Sequence, residues 1–160
     1  MALSSITAGP VAALLTGTLA MGNVDKAIPL GRISVPEATE MHGIAHAFRI
    51  ATMIIQEEAA LGAVSGSESI GKVGIMCGCM SAIDKVLKYY GNGLEHTRHV
   101  SILGTEILEV IARFEETGAK WQPVAVSGHA GVMSNEQADR LAKRGAVQSV
   151  KDAGAPMPWR

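Results

Sequence analysis

A chain of 160 residues with a formal net charge of −1 is long enough for one domain with its own apolar core, without staples. The near-zero charge excludes a general electrostatic pull on phosphate, so any nucleic-acid contact needs a local basic patch. An apolar content of 48 % with 18 glycines and only 4 % aromatics excludes a disordered chain and suits a close-packed α/β domain.

The two cysteines, Cys77 and Cys79, flank Gly78. A bridge that short is strained, so a disulfide scaffold is not expected and a reducing, intracellular compartment is. The apolar Met1 to Met21 stretch has no Lys or Arg before Lys26 and is broken by Gly9-Pro10, which does not fit a secretory leader. No run reaches the length of a membrane span, and no membrane partner is expected.

In chain order, Met1 to Ile6 is too short to assign alone. Val11 to Ala20 reads as a strand after the Gly9-Pro10 turn. Met21 to Asp25 reads as a turn, and Lys26 to Ile33 as a second strand held to an edge by Pro29. Ser34-Val35-Pro36-Glu37 has the form of a capping box, and the helix it opens is expected to reach about Leu61. Met41, Ile44, Phe48, Ala51 and Ile55 recur at helical spacing and form its core face.

Gly62 to Gly71 is a Gly/Ser loop, and Lys72 to Cys77 is a short apolar strand reached by a parallel crossover. Met80 to Tyr90 is a helix with Ile83, Val86 and Leu87 inward. Thr105 to Thr117 is another, with Ile107, Val110, Ile111 and Phe114 inward and Gly118 as terminator. Trp121 to Ser127 is the last strand, and Asn135 to Arg144 the last helix.

Three stretches carry chemistry. Glu40-Met41-His42-Gly43-Ile44-Ala45-His46-Ala47-Phe48 is similar to the first-helix motif of the ribonuclease H family, with Glu40 on the metal-binding glutamate. Ile75 to Ile83 resembles the fourth-strand motif, in which an aspartate ends the strand; Gly78 occupies that position. Val124-Ala125-Val126-Ser127-Gly128-His129-Ala130-Gly131 followed by Asn135 to Ala142 resembles the C-terminal signature, with His129 on the loop histidine and Asp139 on the last aspartate.

The combination looks most like the ribonuclease H domain of retroelement reverse transcriptases. It implies an α/β fold with a ribonuclease H-like mixed five-stranded sheet and helices on both faces, over residues 1–145 with the first strand cut short, followed by a C-terminal tail at 146–160. The family's first-strand aspartate falls on Leu3 or Ser4, so two of its four acids are absent.

The family's hydrolysis uses two Mg²⁺ ions about 3.5–4 Å apart, surrounded by carboxylates. Glu40 and Asp139 alone imply weak Mg²⁺ binding or none. The resemblance therefore implies a catalytically impaired domain, a pseudoenzyme, with a nucleic-acid-binding or structural role in a larger assembly. Its expected partners are RNA, RNA–DNA hybrid or other protein subunits. The alternative is an active endonuclease cleaving the RNA strand of RNA–DNA hybrids, with Asp25, Asp84 or Glu136 supplying an acid.

Several blander or rival readings accompany these. Glu40, Glu136 and Asp139 fit ordinary acids near helix N-termini, and His129 fits a loop histidine. His42 and His46, four apart on one helix, have zinc-ligand spacing with Cys77 and Cys79 to complete a set. Cysteines at a strand end are more often core. Lys85, Lys88, Arg98, Lys143 and Arg144 form either a modest basic patch or a scattered solvated surface, and His96 and His99 sit in a polar connector.

Overall fold

The computed structural model describes residues 4–9, 12–16, 24–27, 36–65, 72–92, 102–126 and 133–152, and the side chains of most but not all of these. Its centre is the first helix, α1 (Pro36–Ser65). The expected face is buried, and so are Ala45, Ala47, Ile50 and Ile54. Apolar residues all round a helix mean neighbours all round it. Accordingly α1 packs on strands β1 (Ser4–Gly9), β2 (Ala12–Thr16) and β4 (Lys72–Cys77) and on helices α2 (Met80–Asn92) and α3 (Ile102–Glu115). It continues past Leu61 to Ser65.

The strands run in the order β3-β2-β1-β4-β5, with β3 at Val24–Ala27 and β5 at Lys120–Ala125. β1, β2 and β3 form an antiparallel meander; β4 joins β1 and β5 joins β4 in parallel. The edge position of β3 agrees with the reading of the sequence, but β3 begins inside the expected turn, at Val24. Consecutive buried residues Val73, Gly74 and Ile75 show that β4 is covered on both faces. The last helix, α4 (Met133–Asp152), packs on β1, β2 and β3. Since α1 and α4 cover β1 and β2 in common without forming an interface with each other, they lie on opposite faces.

The last helix and one side chain of α2 also differ from expectation. α4 continues to Asp152, past the helix end expected at Arg144. Gly145 extends the buried stripe of Ala138, Leu141 and Ala142 by one turn. Leu87, expected inward, is 40 % exposed, because Ala82, Ile83 and Val86 fill the contact of α2.

β5 accommodates Pro123 for a reason legible in its pairing. The Val126 N–H donates to the Cys77 carbonyl at 3.1 Å, and the register sets Cys77 opposite Ala125. Alternation along the strand then turns the backbone of 122, 124 and 126 toward β4 and that of 121, 123 and 125 outward. The missing N–H of Pro123 falls on the outer edge, where it costs no ladder bond and blunts further strand pairing.

The turn between α3 and β5 behaves as its glycine requires. Gly118 has φ of 77°, a left-handed conformation that ends the helix, and its N–H donates to the Glu115 carbonyl at 2.9 Å. Among the described residues no helix is long and apolar enough to cross a membrane.

Candidate functional site

Three features meet at the C-terminal end of β4: the end of the strand itself, the first turns of α1 and the start of α2, with Asp139 of α4 acting on Glu40 through its charge. The fold brings Glu40 there because α1 crosses the sheet over β1 and β4. The Cys77 thiol donates to Glu40 Oε2 at 3.5 Å and accepts from the Cys79 N–H at 3.4 Å. Gly78, between the two cysteines, is exposed and contributes no side chain. Beyond it, Cys79 Sγ and Ser81 Oγ lie 3.3 Å apart.

The electrostatics follow from burial. Cys77 is fully buried, and loss of water pushes its thiol up to about 12. It is therefore a neutral S–H donor rather than a thiolate. Burial likewise raises Glu40 above the ordinary glutamate range; the Cys77 hydrogen bond pulls it partly back, and the charge of Asp139 pushes it up again. That repulsion shows that α4 brings Asp139 within electrostatic reach of Glu40. The site thus joins the Glu40 carboxylate to a thiol, with the charge of Asp139 acting on it from α4.

The other expected residues are distributed as follows. Leu3 and His129 lie outside the described residues. The expectation for Ser4 is corrected by the register: Ser4 pairs with Val73 at the start of β4, about 16 Å along the strand from Gly78 at ~3.3 Å per residue. The residue that β1 sets beside the end of β4 is Ala8, opposite Cys77. The signal was the Gly9-Pro10 turn, which fixes where β1 must end and hence its register.

Of the substitute acids, Asp84 and Glu136 are exposed. Asp25 pairs with Leu14, and so lies two strand spacings from β1, about 10 Å. His42 and His46 are half-buried on α1, and among the described residues no group of three or more His, Cys, Asp or Glu is arranged to hold a metal ion.

The basic residues do not form one patch. Lys85 is engaged by Glu37, and Lys88 shares its helix. Lys143 and Arg144 are on α4, across the sheet from α2, and Arg98 lies outside the described residues.

No family model matches the sequence, and no curated protein matches it. Among solved structures the chain is similar to the N-terminal RNase H domain of a Mycobacterium tuberculosis protein, solved as a fusion with maltose-binding protein. The identity is 13 % and the TM-score 0.51, over 95 % of this chain and 97 % of that one. A likeness of that extent at that identity establishes architecture, and the chain has a ribonuclease H-like fold.

Proposed function

We propose that this chain is a catalytically silent ribonuclease H-fold domain, retained for nucleic-acid contact or architecture within a larger, retroelement-derived assembly. The observation that carries this reading is the Cys77–Glu40 hydrogen bond beside Gly78. Two-metal hydrolysis requires hard oxygen donors enclosing and bridging two dications, which otherwise repel strongly. The corresponding level of this sheet offers a neutral thiol, a glycine and, on β1, an alanine. Glu40 and Asp139 alone do not fit a pair of Mg²⁺ ions.

The fold neighbour is itself an RNase H domain, which supports a nucleic-acid context for the fold. The test is cleavage of an end-labelled RNA–DNA hybrid in Mg²⁺ and, separately, Mn²⁺. The expected result is no product above the protein-free control in either metal. Robust cutting that Asp139→Asn abolishes would overturn the proposal and establish the endonuclease reading.

A further inference from the structure

At the opposite end of β4 and β5 from Gly78, a groove of about 440 Å³ opens between α2 and the sheet edge, lined by Leu87, Tyr90, Glu115, Lys120, Trp121 and Pro123. Tyr90 and Leu87 are 44 % and 40 % exposed. The rings of Tyr90 and Trp121 meet at 76° with centroids 5.3 Å apart, forming a corner, and Trp121 is backed by the buried Phe48 at 5.1 Å.

Glu115 holds that corner in place. The Tyr90 hydroxyl donates to its Oε1 at 2.6 Å and the Trp121 indole N–H to the same oxygen at 3.3 Å. Both bonds use one oxygen, so Oε2 takes part in neither, and no described residue forms an ion pair with Glu115. The aromatic faces are thus pre-set at the surface beside a carboxylate that forms no ion pair among the described residues.

We propose that this groove binds an extended, proline-containing peptide bearing a basic side chain, the Tyr90–Trp121 corner seating a proline ring and Glu115 receiving the cation. Perpendicular aromatic walls suit the preformed polyproline helix, which is read by side-chain packing and not by main-chain pairing. Strand addition is disfavoured because Pro123 lacks an N–H on the free edge of β5. A single-stranded nucleic acid would also stack on these rings, but its phosphates would meet Glu115, with Lys120 as the only cation in the lining. The groove is far from Glu40, so this inference stands or falls independently of the cleavage assay.

The test is fluorescence anisotropy of the whole chain with a fluorescein-labelled hexaproline–arginine peptide. Saturable binding is expected, weakened about tenfold by Tyr90→Ala, by Glu115→Gln and by exchange of the peptide arginine for glutamate. Tyr90→Phe, which keeps the ring, should retain most of the affinity. Arg49→Ala, in the separate groove between α1 and α3, should change nothing. Absence of saturable binding to the parent, or affinity indifferent to Tyr90→Ala and Glu115→Gln, overturns the proposal. Tighter, Tyr90-dependent binding of labelled oligothymidylate would overturn it in favour of a nucleic-acid surface.

Discussion

The two ends of β4 are built from different interactions. At its start, Val73 lies beside Trp121 in an apolar and aromatic cluster where Phe48 contacts both Phe114 and Trp121 edge-on. At its end, Cys77 closes against Glu40 with Asp139 nearby. The first end is what any sheet wrapped by α1, α2 and α3 needs for its core. The second is a polar cluster that a fold can alter without losing its packing. Architecture and chemistry are therefore separable in this chain, and substitutions at the two ends should have different signatures.

The largest expected effect is at the packed end. Phe48→Ala removes a fully buried ring from between two others and should cost about 3–5 kcal/mol of unfolding free energy, measured by denaturant titration. A loss below about 1 kcal/mol would mean that α1 is not the centre of the core.

At the polar end the signature is pH. Glu40 is raised in the folded chain, so the folded state holds that proton more tightly than the unfolded one. Stability should fall as pH rises from the ordinary glutamate value of 4.5 to the raised folded value, and level off above it. Glu40→Gln should flatten this slope, and Asp139→Asn should shift its upper end downward by removing the repulsion. A slope unchanged by both would mean that Glu40 is not perturbed by its surroundings.

The thiols should also separate the two environments. Cys77, buried and held near 12, should resist iodoacetamide at pH 8 until the chain unfolds, whereas half-buried Cys79 should react in the folded protein. Mass spectrometry of alkylated peptides distinguishes them, and equal labelling of both would contradict the burial of Cys77. The smallest effect concerns Tyr90: its bond to Glu115 raises the phenol above its ordinary value of 10.0, so Glu115→Gln should move the 295 nm titration of that tyrosine to lower pH.

Much of the architecture was legible because apolar spacing is local. The face of α1, the body of β4 and the inward stripe of α3 follow directly from their sequence periods. The breadth of α1 burial was not, since alanines at 45 and 47 count as core only once α2, α3 and the sheet surround them. The extension of α4 past Arg144 was missed because the burial of Gly145 depends on the sheet beneath and not on local spacing.

At the site, the motifs singled out Glu40, Gly78 and Asp139; the structure sets Glu40 against Cys77, next to Gly78, and the charge of Asp139 acts on Glu40. The β1 position was misplaced because strand register is a property of pairing. Only the alignment of Ala8 with Cys77 shows which residue of β1 reaches that level. The Cys77–Glu40 bond was equally hidden, joining residues 37 apart in sequence.

The most direct test of a silent metal site is calorimetric titration of the parent chain and of Gly78→Asp with Mg²⁺ and Mn²⁺. Gly78 is exposed at the end of β4, next to the Cys77 that bonds Glu40. The parent should show no saturable binding at millimolar metal, and the added carboxylate beside Glu40 and Asp139 should produce measurable binding. Stoichiometric binding of two ions to the parent would contradict the account.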